Sequence, residues 1–542
     1  MSSKISGVAV MLDVVIVGGG LCGLALANSL HEQGRGFALY EARGRLGGRI
    51  LSVPCSIAAM TVDLGPTWYW PDTQPRISRL VSELGLVSFP QHDSGAVLRL
   101  NEADKKPETV AVDSVYGGAQ RVEGGLGSLV DALAQRLPAE CLHLGHELYS
   151  VRDRGDHVEL HFRCGEVTVI VLARNVVLAV PPRLLEEHVR FDPPLEPSMR
   201  EAMRSTHTWM ADQAKVVVGY ERPFWREAGQ SGNAFVTHEQ VVLGEIFDAC
   251  DRAGEKAALG GFFALSPQFR ASIHPAAMPM LISSQLVQVF DLPAENGEQH
   301  MQDWATERFT CSTLDLTPPD VHPEYGNPIL RQRLWNSKVH FGASETAGYG
   351  GGYMEGALEA AARIHRSLAP ERASTLQQVG VDGSHNAACL GRFSEWVAAQ
   401  RSTLLDRYRQ HLHQYLASQH REQLTQRALL GTVEQVYSEA LDVLDGLPFD
   451  TSGVGIQSGR SDLTLDVLEP FDGFNMSLVE QAVQFNRGSC ALSNFPGEHD
   501  PADDYMETIS RDLVAAWREF AVSANGVLLA KGGAPAVHHS SC

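Results

Sequence analysis

Leu12–Val17 is a short apolar run that ends in Gly18-Gly19-Gly20-Leu21-Cys22-Gly23, and no other stretch restricts the fold of this chain as strongly. An unalternating apolar run of that length is typical of a strand buried on both faces of a parallel sheet. Gly18, Gly20 and Gly23 fall on the G-x-G-x-x-G spacing, and Leu21–Leu30 has helical spacing. In such a unit Gly18 permits the tight turn, Gly20 lets the backbone approach a pyrophosphate, and Gly23 lets the helix pack on the strand. The pyrophosphate rests on free N–H groups at the helix N-terminus, where the dipole favours negative charge. Phe37–Tyr40 reads as a second buried strand, with Glu41 at its end to accept hydrogen bonds from ribose hydroxyls. Glycine triplets alone are common in turns. Strand, turn, helix and acid in that order specify a grip for the ADP half of a dinucleotide.

The next residues narrow the cofactor. Glu41-Ala42-Arg43-Gly44-Arg45-Leu46-Gly47-Gly48-Arg49 adds a second glycine pair between arginines, an element nicotinamide-dependent enzymes rarely need. A solvated basic surface is the bland alternative for Arg43, Arg45 and Arg49, and their interleaving with glycines makes it the poorer one. This run resembles the flavin-containing amine oxidase family, which includes monoamine, polyamine and L-amino-acid oxidases. The resemblance implies FAD, with Arg43, Gly47, Gly48 and Arg49 near its phosphates and ribityl chain.

Further segments resemble the same family in collinear order over roughly the first two thirds of the chain. Asp63-Leu64-Gly65-Pro66-Thr67-Trp68 is similar to the family segment that passes the flavin ring, which implies cofactor contacts at Gly65 and Thr67, with Pro66 where a second glycine is usual. Arg121–Leu129 looks like the glycine turn at which the chain re-enters the FAD domain. Val176-Val177-Leu178-Ala179-Val180-Pro181-Pro182 looks like the strand that leaves it, and Leu148 aligns with a backbone contact to adenine. Phe341–Ala347 and Gly352-Tyr353-Met354-Glu355-Gly356-Ala357 resemble the C-terminal flavin signature, implying contacts through Glu345 and the backbone of Met354. Lys215 precedes Tyr220 and Pro223-Phe224-Trp225, as in the family, where this lysine holds a water beside the reactive flavin nitrogen. A cation there stabilises developing negative charge. Read alone, Lys215 is a strand-end lysine in water. Tyr353 matches the aromatic wall that orients a neutral amine; Lys215 and Tyr353 are therefore the expected catalytic pair.

Departures concern the amine pocket. No aromatic occurs near Thr313 and Leu314, where many members place a second wall, and Gly350 replaces a tryptophan common before the last signature. Cys311 lies about two residues out of register with the segment that attaches FAD covalently in membrane monoamine oxidases, so FAD is expected to be noncovalent. His411, His413 and His420 do not share one helical face, and the nine cysteines form no C-x-x-C pair. No metal site is expected.

Composition sets outer bounds. The net charge of −21 argues against nucleic-acid or anionic-membrane partners and suits a cationic substrate. Leu513–Ala530 is interrupted by Arg518, Glu519, Asn525 and Gly526, which argues against the C-terminal anchor of membrane members. A soluble, cytoplasmic protein is expected. The fold class is α/β: a discontinuous Rossmann-like FAD-binding domain (10–75, 119–189 and 335–370), an α+β substrate domain (76–118 and 190–334), and a mainly helical C-terminal extension (371–542) of unassigned role that could cover an entrance or form a homo-oligomer contact. The expected reaction is oxidation of an amine to an imine, hydrolysis to a carbonyl compound, and reduction of O2 to hydrogen peroxide. Two alternatives stay open: a flavoprotein dehydrogenase or desaturase acting on a non-amine, and a non-catalytic flavin-binding scaffold.

Overall fold

The computed structural model describes residues 11–110, 114–319, 323, 325–368, 383–417, 423–451, 454–457, 460–489, 492, 495–499 and 501–532. The chain divides into two compact units, Met1–His365 and Arg366–Cys542. The helical unit thus begins five residues before the boundary at 371 read from the sequence.

Two sheets organise the first unit. Met11–Val17 pairs in parallel with Phe37–Tyr40 on one side and with Val167–Leu178 on the other. Val339–Phe341 also joins Val167–Leu178 in parallel, so distant segments of chain meet in one sheet. Val14 to Val17 are all buried, as a strand covered on both faces requires. Leu142–His143 pairs with Phe37–Tyr40, whereas Glu147–Asp153 pairs antiparallel with Val158–Cys164. Residues 142–151, which read as one strand from the sequence, therefore hold two strands with different neighbours. Arg190–Asp192 also belongs to this sheet, one step beyond the boundary expected at 189.

The second sheet has seven strands, ordered Glu298–Asp303, Ala214–Tyr220, Ala257–Phe263, Leu243–Asp248, Gln230–Val236, Ala96–Leu100 and Glu108–Val110. All seven residues of Ala214–Tyr220 are buried. Alternation sends Val216, Val218 and Tyr220 into a core shared with the helix Met278–Phe290, and Val217 into one with Cys55 and Phe247. Lys215 therefore shares a strand with six other buried positions and cannot reach bulk water.

The second unit is helical and carries its own core, including Phe393, Tyr408, Val436, Phe474 and Leu528. Residues 393–416 carry apolar residues at helical spacing and read as one helix; they fall in two, Gly383–Arg401 and Leu404–Ala417. Residues 451–474 are rich in Gly, Asp and Ser and read as a loop, yet they include the helix Leu463–Leu468. The last helix, Asp503–Gly532, runs unbroken through Asn525 and Gly526. Its stretch Tyr505–Lys531 is long and apolar enough to cross a membrane by length and composition, which corrects the expectation of an interrupted segment. Ile509, Leu513, Phe520, Ala524 and Leu528 on it lie in the helical core.

Candidate active site

The glycine turn explains itself residue by residue. Gly18 has φ +106°, and a Cβ there would lie 2.4 Å from the Ala179 carbonyl oxygen. A Cβ at Gly23 would lie 2.0 Å from the Gly18 oxygen, so helix and turn touch through backbone. Gly20 differs: a Cβ there meets no atom within 4 Å and would occupy the cavity beside it. The helix Leu21–Glu32 starts at Gly20 with no side-chain cap and no acid in its first turn. Free amides, positive dipole and the room left by Gly20 together match a pyrophosphate. Glu41, 3% exposed, accepts from the Gly19 N–H at 2.7 Å and the Arg43 N–H at 2.8 Å, fixing the turn with lone pairs to spare for a ribose.

The second glycine pair docks on the first turn. Gly47 donates its N–H to the Gly19 oxygen at 2.8 Å, and Gly47 and Gly48 both have positive φ. The three arginines divide their tasks. Arg45 points its guanidinium at the carbonyls of Leu46, Gly48 and Ile50, so it ties the loop. Arg43 bonds Glu307 and Thr310 from the cavity wall. Arg49 pairs with Glu345 at 2.7 Å.

One cavity of about 410 Å³ collects most of the expected residues: Gly18, Gly20, Glu41, Arg43, Gly47, Gly48, Arg49, Gly65, Thr67, Leu148, Lys215, Tyr353 and Met354 line it. Gly23 and Glu345 stand outside that wall. Gly23 serves helix packing. Glu345 is fully buried and holds Arg49, the Ser344 hydroxyl and the Trp209 N–H, so it orients a wall residue instead of forming the wall. In the Met354 segment, Glu355 accepts from the N–H groups of Arg76 and Ile77, at the N-terminus of the helix Pro75–Glu83.

Lys215 is 2% exposed and sits at the cavity floor beside Gly65 and Thr67. Its ammonium donates to the Gly65 oxygen at 2.8 Å and to the Thr67 hydroxyl. Phe247 and Phe262 rings lie 5.4 and 5.6 Å from Nζ. Burial lowers the Lys215 pKa to about 7 against the opposing pull of Asp63. Two of its three N–H donors are engaged among the described residues, which leaves one for the cavity.

The aromatic wall is the main surprise. Tyr353 keeps 40% of its surface free in the cavity wall and faces Trp209, with ring centroids 5.7 Å apart at 45°. The expected position near Thr313 and Leu314 is vacant of aromatics; Leu314 is half exposed instead. The glycines before Tyr353 also make sense here. A Cβ at Gly352 would lie 2.8 Å from Trp209 Cβ, and one at Gly351 would lie 2.3 Å from Tyr325 Cβ. Trp209 and Tyr325 take the space. Sequence reasoning missed Trp209 because its segment carries no motif; its N–H and carbonyl, bonded to Glu345 and Arg49, tie it to the signature.

Cys311 is buried, its thiol pushed up to about 12 by burial, and it is not in the cavity wall. His411 is also buried and bonds Gln435 at 3.2 Å, with burial lowering it to about 4. His413 lies on the same helix, and His420 lies outside the described residues.

Comparison with known proteins places these features together. Residues 106–365 match a family model described as flavin containing amine oxidoreductase, and residues 16–84 match one described as NAD(P)-binding Rossmann-like domain. The chain is 25% identical over 458 residues to amine oxidase [flavin-containing] B of Sus scrofa, covering 66% of this chain and 86% of that one. Amine oxidase [flavin-containing] of Danio rerio is 22% identical over 458 residues, covering 66% of this chain and 85% of its own. In fold it is similar to a wild-type putrescine oxidase bound to putrescine (TM-score 0.55, 20% identity, 66% of this chain and 99% of that chain). A cyclohexylamine oxidase from Brevibacterium oxydans IH-35A gives TM-score 0.55, 21% identity and coverage of 66% and 99%.

Proposed function

Because the chain belongs to the flavin-containing amine oxidase family, we propose that its cavity oxidises a small monoamine at the carbon beside nitrogen, giving an imine that water hydrolyses to a carbonyl compound. FAD, when bound, supplies the two-electron acceptor and passes the electrons to O2, with hydrogen peroxide as the product. The observation that carries this reading is the convergence of the glycine turn, Lys215 and the Trp209–Tyr353 pair on one cavity.

The remaining work belongs to the chain's own residues. Gly20 and the uncapped helix start receive the pyrophosphate, and Glu41 receives the ribose. Tyr353 presents its exposed face to the neutral amine, and Trp209, packed against that ring, fixes it and helps to exclude water. Below about pH 7 Lys215 Nζ holds a proton at the cavity floor, where its positive charge favours charge developing during reaction with oxygen. The carboxylates among the described wall residues are Glu41 and Glu147, both at the nucleotide end. Among the described wall residues no carboxylate stands beside Tyr353 to receive a distal ammonium, which supports a monoamine over a diamine. FAD is held noncovalently: the Cys311 thiol is buried off the wall, and the Cys22 thiol in the wall is also pushed up to about 12 by burial.

A panel of mono-, di- and polyamines, assayed for peroxide release and for anaerobic bleaching of the flavin, tests the proposal. Monoamines should react best. A flavin that no amine bleaches would contradict it.

A further inference from the structure

We propose that Cys55, Glu298 and His300 form a binding site for one zinc-class divalent cation on the outer edge of the seven-stranded sheet. Glu298 and His300 are two residues apart on the edge strand Glu298–Asp303, so their side chains share one face. Cys55 ends the first strand of the hairpin formed by Ser52–Cys55 and Met60–Asp63. One ligand atom from each of the three residues lies within 4.8 Å of the others.

The spacing suits an ion. Cys55 Sγ is 3.6 Å from Glu298 Oε2, and His300 Nε2 is 2.9 Å from Glu298 Oε1. A tetrahedral ion with a metal–sulfur bond of about 2.3 Å and bonds to oxygen and nitrogen of about 2.0 Å sets sulfur and oxygen about 3.5 Å apart, and nitrogen and oxygen about 3.3 Å apart. Charge balances as well: a thiolate and a carboxylate with a neutral imidazole neutralise a dication. Mixed sulfur, nitrogen and oxygen donors select zinc over magnesium or calcium.

The surroundings are built to hold these atoms. Gly219 is the strand partner of Glu298, and a Cβ there would lie 2.2 Å from Cys55 Sγ, so the glycine makes room for the thiol. The Ile57 N–H donates to Glu298 Oε2 at 2.7 Å, orienting the carboxylate as outer-shell partners of metal ligands do. Cys55 is 2% exposed, whereas the side chains of His300 and Glu298 are 21% and 25% exposed. The open side admits the ion and a water as fourth ligand. The bound ion ties the hairpin to an otherwise unpaired sheet edge, and that hairpin leads directly into Asp63–Thr67 below Lys215.

The competing arrangement is a hydrogen-bonded His300–Glu298 pair beside a neutral thiol. Tag-free, FAD-loaded protein should be equilibrated with Zn(II) or Co(II), freed of loose ions, and assayed for metal per chain and for Co(II) d–d absorption at wavelengths beyond the flavin. The expected result is stoichiometric uptake with intense, tetrahedral d–d bands. His300→Ala and Cys55→Ser should each weaken binding by at least about tenfold. Retained flavin absorbance in His300→Ala, a surface change, shows that the fold survives even where Cys55→Ser fails to fold. Weak octahedral absorption, or uptake equal in wild type and His300→Ala, would overturn the site. Neither readout depends on amine turnover, so the amine oxidase reading stands or falls separately.

Discussion

Lys215 is a cation almost wholly removed from water, with two phenyl rings and two oxygen acceptors as its surroundings. Burial lowers its pKa from 10.5 to about 7. Below that pH it is charged and should speed the reaction of the reduced enzyme with oxygen; the oxidative half-reaction should therefore slow as pH rises through about 7. Lys215→Met should slow that half-reaction below about pH 7, converge on wild type at higher pH, so flatten the pH profile, and leave FAD bound, as read by stopped flow. The stability sign is opposite. Between about 7 and about 10 the unfolded chain still binds the proton that the folded chain has released, so stability from this group rises with pH. Trp209→Ala should lower kcat/KM for amines by about tenfold, since an aromatic pair contributes about 0.5–1.5 kcal/mol beyond its area, without loss of FAD. The sequence shows Lys215 and Tyr353 because each lies in a motif. It conceals Trp209, whose role depends on the chain folding back from another segment, and it conceals Cys55 beside Glu298, which are 243 positions apart.

Elements carry the contrast between fold and ligand within one turn. A Gly23→Ala side chain would strike the Gly18 oxygen, so it should destabilise the folded protein by about 1–3 kcal/mol. Gly20→Val has open space on the protein side and should melt near the wild-type temperature, yet bind FAD far more weakly because the branch fills the cradle. Thermal melts of the FAD-free proteins alongside flavin titrations separate the two. The Rossmann-like elements were legible because buried strands and glycine spacing are local signals. Pairing was not: 142–151 reads as one apolar-rich strand, but its two halves find different partners across the sheet. The helix at 393–416 likewise breaks at Ser402–Thr403, which hydroxyl bonds to Ala399 and Gln400 satisfy locally.

At the scale of the whole molecule, the first unit carries the chemistry and the second carries a separate helical core. Residues 383–532 expressed alone should give a helical circular dichroism spectrum and a cooperative melt, since the buried aromatics Phe393, Tyr408, Tyr437 and Phe474 all pack within that segment. A non-cooperative, largely unfolded fragment would show that this core needs the rest of the chain. Family membership and cofactor were readable because the signatures recur in order along the first two thirds of the sequence, the same span that the relatives cover. The helical unit carries no such signature, so its packing was legible in the sequence only as apolar residues at helical spacing. The central claim is that one cavity clasps FAD noncovalently and presents it to an amine. Acid precipitation of the purified protein, followed by anaerobic mixing of the intact protein with monoamines, tests it most directly. The account predicts a yellow protein with stoichiometric FAD that leaves the chain in acid and bleaches with a monoamine; a correctly folded, colourless chain that takes up no added FAD would contradict it.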